Sequence, residues 1–199
     1  MKQMERENTR FGKTYNLVLT ALMTALVLLA TYVVKIPTPA TEGYIHLGDA
    51  AIFLSVLILG KKYGSLASGL GSALADLLGG YSHWVPWTFF IKAIMAYIMG
   101  IFIEAMIKRG KEGIKIFNVP VIEICGMVIG GIFMSLGYAV ASAIMKGNIM
   151  IGILGIPANL LQFGVGVVLA SVLAAGLYAT PSRKYFAYRL DKISSTKSE

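Results

Sequence analysis

A chain of 199 residues with 56% hydrophobic residues and a mean hydropathy of +0.71 is too apolar for an ordinary soluble domain. At roughly 20 residues per spanning helix it has room for about six membrane helices and no separate soluble domain. The net charge of +8 would point to nucleic acid only if the basic residues clustered on a soluble face. They fall instead in the gaps between apolar runs, which removes that class. The single cysteine, Cys125, lies inside an apolar run. That leaves no intrachain disulfide and no cysteine-based metal site, and it reads as a small core residue.

Met1 to Thr14 is polar and basic, and Tyr15 to Val34 is almost uninterrupted apolar sequence. That run is longer than a signal-peptide core and no small-x-small cleavage site follows it, so it is expected to stay as the first helix. Lys35 to Gly43 contains two prolines, which remove donors and clash with the preceding turn, so it reads as a loop. A second helix is predicted from Leu47 to Leu59, opening at Gly48-Asp49, where a carboxylate suits the positive end of a helix. Gly60-Lys61-Lys62 is a short basic turn.

A third helix, Tyr63 to Leu78, carries Gly64, Ser68, Ser72 and Asp76 at intervals of four, a small-residue face that lets a neighbouring backbone approach closely. Gly79 to Trp87 is a loop with interfacial aromatics. The fourth helix, Thr88 to Ile107, places Lys92, Met95, Ala96 and Met99 on one face. After the basic gap Lys108 to Lys115 comes a fifth helix, Val119 to Met145, with Glu123 read as a cytoplasmic-interface charge. Lys146 to Gly152 is a turn reaching towards Pro157. From there a sixth helix runs to Tyr178 with Asn159, Gln162 and Gly166 on one face, followed by a basic, frayed tail from Arg183.

With six spans, fifteen of the eighteen basic residues fall on one side, only Lys35 and Lys146 on the other, and Lys92 within a span. The excess of Lys and Arg in cytoplasmic segments then puts both termini in the cytoplasm. The expected fold is an all-α membrane protein of six transmembrane helices: a cytoplasmic tail over 1–14, the membrane domain over 15–180 and a cytoplasmic tail over 181–199.

The chain has no phosphate-binding loop, no H-E-x-x-H and no nucleophile elbow, and no inverted repeat of the kind secondary transporters carry. Gly69-Leu-Gly71 lacks the third glycine of a dinucleotide fingerprint. His46, His83, Asp49 and Asp76 share no ligand spacing, so no metal or cofactor is expected. The densest chemistry lies between Gly43 and Lys92, where two histidines, two tryptophans, two aspartates and a lysine sit at membrane depth. Ionisable groups are costly in lipid, so this concentration suggests a small-molecule site.

The basic N-terminus, Ala21-Leu-Met-Thr-Ala25 in the first helix, the proline-rich loop, the Gly-Asp helix, the basic turn, the small-residue helix ending in Ala75-Asp76 and the aromatic loop resemble the S components of energy-coupling factor (ECF) vitamin transporters. The riboflavin-type and the hydroxymethylpyrimidine- or pyridoxine-type members are the most similar in look. The resemblance implies six helices, one vitamin bound on the outer side under the loop after the first helix, and assembly with a transmembrane coupling subunit and two ATPase subunits. It also implies that Ala21 and Ala25 face the coupling subunit, whereas on sequence alone they read equally well as helix filler.

No residue motif of the family transfers strictly to the substrate site, so the candidates come from chemistry. Trp84, Trp87, Thr88, Lys92, Asn159 and Gln162, with Asp49, Tyr81 and His83 beside them, supply stacking faces and polar groups for a flat heteroaromatic ring. Lys92 reads either as a ligand contact or as the ion-pair partner of Asp49 or Asp76. The tryptophans read also as an interfacial belt, and the histidines as satisfied structural groups. These residues favour a small ring such as hydroxymethylpyrimidine or pyridoxine, with riboflavin or thiamin next. Two other classes remain open on sequence alone: a membrane enzyme using Asp49 and Asp76 as acid and base, and a ligand-free assembly subunit.

Overall fold

The structure, a computed structural model, describes residues 2–38, 43–110 and 114–188. Lys111, the centre of the loop after the first helix, and the tail beyond Tyr188 lie outside the described residues. The architecture is all-helical apart from two short hairpins. Helices α1 (Lys2–Tyr32), α2 (Gly48–Leu78), α3 (Val85–Lys108), α4 (Val121–Lys146) and α5 (Ile149–Tyr178) alternate with hairpin β1 (Lys35–Thr38)/β2 (Gly43–His46) and hairpin β3 (Lys115–Ile116)/β4 (Val119–Pro120). Among the described residues five helices are long and apolar enough to cross a membrane, where six were expected.

The difference lies in α2, because the predicted second and third helices run together through the Gly60 turn. Gly60 has φ 74° and ψ 179°, a conformation that side chains other than hydrogen rarely adopt. There the chain folds back on itself. A Cβ built on Gly64 would lie 2.8 Å from Val56 Cα, whereas eight residues along an unbroken helix span about 12 Å. Asp49 and Asp76, about 40 Å apart in a straight helix, are brought to the same end of the molecule by this reversal.

The first arm is buried on every side from Gly48 to Leu57, as expected for an element that is apolar all round. Its Ile52, Phe53, Val56 and Leu57 form the centre of the core with Met95, Met99 and Ile103 of α3 and Met127 and Met134 of α4. On the second arm the small face closes as expected: Gly64, Ser68, Ser72 and Asp76 are all buried. Helix α1 lies outside, packed on α2, with Leu17, Leu22, Leu26 and Leu29 exposed as a lipid-facing surface would be.

Other expectations are corrected. The polar N-terminal segment is helical from Lys2, continuous with the apolar run. Lys35–Thr38, expected as part of a loop over Lys35 to Gly43, pairs antiparallel with Gly43–His46, Lys35 opposite His46; among the described residues Pro37 sits on a strand with no neighbour on its other edge, where its missing donor costs no ladder bond. The last helix begins at Ile149, capped by Asn148 Oδ1 accepting from Met150 N at 2.9 Å, and holds Pro157 inside it; membrane helices tolerate such a proline because neighbours re-satisfy the freed carbonyl.

The tail is not frayed as far as Tyr188. A 3-10 turn at Pro181–Tyr185 leads into buried Phe186 and Tyr188, and Ala187 N donates to Leu57 O at 2.9 Å beside the Gly60 break. Cys125 is exposed on α4 rather than in the core. Glu123, expected at the interface, is fully buried and accepts from Tyr178 Oη at 2.7 Å.

Candidate functional site

The reversal at Gly60 sets up one polar cluster at the end of the bundle covered by β1 and β2. Its base is an ion pair between Lys92 and Asp49, both fully buried. Lys92 Nζ also lies 2.7 Å from Met134 Sδ and 5.4 Å from the centre of the Tyr138 ring. Gln162 Nε2 donates to the second Asp49 oxygen at 3.0 Å, and Gln162 Oε1 accepts from the backbone N of His46 at 3.1 Å. Lys92 is thus matched by Asp49, and Gln162 ties that pair to strand β2. Buried charges require such matching and hydrogen bonding.

Above this base lies a cavity of about 50 Å³, room for roughly four waters at the 10–15 Å³ each needs. The hairpin contributes Thr38, Tyr44, Ile45 and His46 to its walls. The end of α2 contributes Asp76, the start of α3 Trp84 and Thr88, α4 Tyr138 and Ser142, and α5 Gly155, Ala158, Asn159 and Gln162. Trp84 meets Tyr138 edge to face with centroids 5.7 Å apart, and Tyr138 Oη donates to Thr88 Oγ1 at 3.2 Å. Gly155 and Ala158 flank Pro157, so the proline-containing turn of α5 forms part of the wall.

The hairpin is fastened at two points. Tyr44 Oη donates to Asp76 Oδ1 at 2.6 Å; burial first, and then Asp76, push this phenol up, so it stays a donor. Lys35 Nζ sits over the rings of Tyr32 at 4.3 Å, Tyr44 at 4.7 Å and Tyr81 at 5.5 Å, each a cation–π contact. His46 is buried, and desolvation, followed by the nearby Lys92, holds its imidazole down at about 3. It is therefore neutral, and because its Nδ1 accepts from Gly48 N at 3.0 Å, its proton resides on Nε2.

Of the residues singled out in the sequence, Trp84, Thr88, Asn159 and Gln162 line the cavity, while Asp49 and Lys92 lie beneath it. Tyr81 stacks against Tyr44 at 4.7 Å, and exposed His83 lies 6.5 Å from Tyr81 and 6.1 Å from Trp84, both outside the lining. Trp87 packs against the core instead. Tyr44, Tyr138 and Ser142 went unread. Tyr138 and Ser142, one helical turn apart in the second half of a largely apolar helix, were a readable signal; Tyr44 had none before the hairpin was known. Ala21 and Ala25 are exposed on α1.

A family model described as the ECF-type riboflavin transporter S component matches residues 11–179. A Pyrococcus woesei protein described as uncharacterized and lying in the gap 3′ region is 36% identical over 121 residues, 61% of this chain and 74% of that one. The thiamine precursor transporter HmpT of Lactococcus lactis subsp. cremoris is 27% identical over 175 residues, covering 87% of this chain and 91% of its own. A solved structure, titled as the S component of a bacterial ECF transporter, superposes with a TM-score of 0.60 over 83% of this chain and 96% of its own, at 18% identity. It shares the fold. The chain is a multi-pass membrane protein of the ECF-type riboflavin transporter S component family, a transporter's substrate-binding subunit and not an enzyme.

Proposed function

We propose that this S component captures a small single-ring heteroaromatic vitamin precursor of the hydroxymethylpyrimidine type in the cavity beneath β1 and β2, and passes it inward through an ATP-driven complex with a coupling subunit and two ATPase subunits. The observation that carries this reading is the size and lining of the cavity. About 50 Å³ walled by Trp84, Tyr44 and Tyr138, with Asp76, His46, Thr88 and Asn159 as polar contacts, suits one polar ring after modest movement of the hairpin, and a three-ring flavin only after much larger rearrangement. The relation to a protein named as a thiamine precursor transporter supports the same substrate class. Riboflavin is the second reading, favoured by the description of the family model.

In this reading α2 counts as two spans, giving six, with both termini cytoplasmic and the hairpin outside. The fold-back at Gly60 supports it, since it sets Lys61 and Lys62 at the end of the bundle opposite Asp49 and Asp76 and on the side of the other basic segments. The exposed Ala21 and Ala25 then face the coupling subunit, whose close approach small side chains allow.

Ligand-dependent thermal unfolding of the purified protein tests the substrate class. Hydroxymethylpyrimidine should raise the midpoint strongly, and pyridoxine, thiamin and riboflavin less. A larger rise with riboflavin than with any single-ring compound would overturn the assignment in favour of the second reading. For topology, Lys108→Cys and Ile149→Cys in a Cys125→Ala background should label from opposite sides of the membrane; labelling from one side refutes six spans.

A further inference from the structure

Among the described residues, Asp76 is the carboxylate that lines the cavity with an oxygen to spare. The residue is 4% exposed. Oδ1 accepts from Tyr44 Oη at 2.6 Å, while no hydrogen-bond donor among the described residues reaches Oδ2. The Thr88 hydroxyl on the same wall acts on this carboxylate without meeting hydrogen-bond geometry. By contrast Asp49, the other aspartate of the cluster, has both oxygens engaged, one by Lys92 and one by Gln162. A buried carboxylate oxygen with no donor is costly, and a ligand that brings a donor removes that cost only while it is bound.

His46, on the hairpin wall of the same cavity, has the opposite hydrogen-bond character. His46 is neutral and carries its one proton on Nε2, so it offers an N–H donor and, with Nδ1 occupied by Gly48, no acceptor. An acceptor at Asp76 and a donor at His46 on the lining of one cavity complement a ring that presents both an amino N–H and an unprotonated ring nitrogen. Resting on the reading of the cavity as the substrate site, we propose that Asp76 is the specificity-determining residue of this protein, its Oδ2 accepting from the exocyclic amino group of an amino-substituted nitrogen heterocycle while His46 donates to an unprotonated ring nitrogen. A ring with a carbonyl in place of the amino group sets an acceptor against the carboxylate, and is rejected because both groups then lose their partners.

The test is calorimetric titration of the purified full-length protein with 4-amino-5-hydroxymethyl-2-methylpyrimidine and with its 4-oxo analogue, whose lactam form replaces the amino group by a carbonyl and the unprotonated nitrogen next to it by an N–H. The unmodified protein is expected to prefer the amino compound by at least about 30-fold, the scale of a lost hydrogen bond to a charged group. Asp76→Asn should shrink the preference by at least about 3-fold, because the amide can turn either its oxygen or its nitrogen to the exocyclic group. Asp76→Glu, which keeps the carboxylate, should retain the preference at lower affinity. Equal affinity of the unmodified protein for the two pyrimidines overturns the proposal without any variant, as does an unchanged preference in a folded Asp76→Asn protein. In both cases the reading of the protein as a pyrimidine-binding S component survives. Binding of riboflavin with no binding of either pyrimidine overturns both.

Discussion

Replacing Lys92 by methionine exposes how the floor of the site is held. The substitution keeps an unbranched, flexible side chain only one atom shorter, so lost packing is small. What changes is Asp49, which is fully buried and loses its cationic partner, keeping Gln162 Nε2 at 3.0 Å. Breaking a buried pair by removing one member costs about 3–5 kcal/mol, most of it the penalty of the charge left behind. Adding Asp49→Asn removes that charge while leaving an amide oxygen for Gln162 to donate to. The double variant should then lie only about 1–2 kcal/mol below the unmodified protein, the scale of the neutral hydrogen bonds lost. Asp49→Asn alone leaves the buried Lys92 charge unpaired at a similar cost, so the expected coupling between the two sites is about 4 kcal/mol or more. Equilibrium unfolding of the four proteins in one detergent at one pH measures it. Additive effects, or a Lys92→Met protein of unchanged stability that has lost ligand affinity, would refute the reasoning and return Lys92 to the role of a direct ligand contact.

Three further outcomes are expected. Gly60→Ala forces a side chain into φ 74°, ψ 179° with Ala187 Cβ 3.4 Å away, and should lower stability by about 1–3 kcal/mol in the same unfolding assay; no loss would mean that the reversal does not depend on this residue. His46 has its folded value lowered to about 3, so its contribution is complete above the ordinary histidine value of about 6.5 and falls away as pH drops from there towards 3. Going from pH 7 to pH 5 should cost about 2 kcal/mol, and His46→Gln should flatten that dependence; an identical pH profile in the variant would contradict it. Ala21→Trp or Ala25→Trp, on the exposed face of α1, should abolish uptake by the assembled transporter while ligand affinity of the isolated subunit stays within about 2-fold, because added volume disrupts a close helix contact; parallel loss of both would make the pair internal packing.

What could be read in the sequence followed physical signals local to one element. The small-residue face of Gly64, Ser68, Ser72 and Asp76 was legible because four-residue spacing maps directly onto one helix face, and Gly60-Lys61-Lys62 because glycine and paired charges interrupt an apolar run. Lys92 was legible as a charge needing a partner, but the choice between Asp49 and Asp76 depended on how the two arms of α2 sit against α3, which spacing does not encode. The hairpin of Lys35–His46 was hidden because two prolines argue against helix without arguing for pairing. Pro157 was taken as a boundary because a proline's cost in water exceeds its cost among neighbouring membrane helices. Glu123 was taken for a surface charge because its partner, Tyr178, lies 55 residues away. The role of His46 emerged only with the tertiary structure, since its tautomer is fixed by Gly48 and its position on the cavity by Gln162.

The central claim is that the substrate binds in the cavity walled by Trp84 beneath the hairpin. The chain has two tryptophans, and Trp87 lies outside the cavity lining, so a Trp87→Phe protein carries a single fluorescent reporter on the cavity wall. Titration of that protein with 4-amino-5-hydroxymethyl-2-methylpyrimidine should change Trp84 emission saturably at one ligand per chain, with the same affinity that calorimetry gives. Calorimetric binding of the pyrimidine with no change in Trp84 emission would place the site elsewhere and contradict the account.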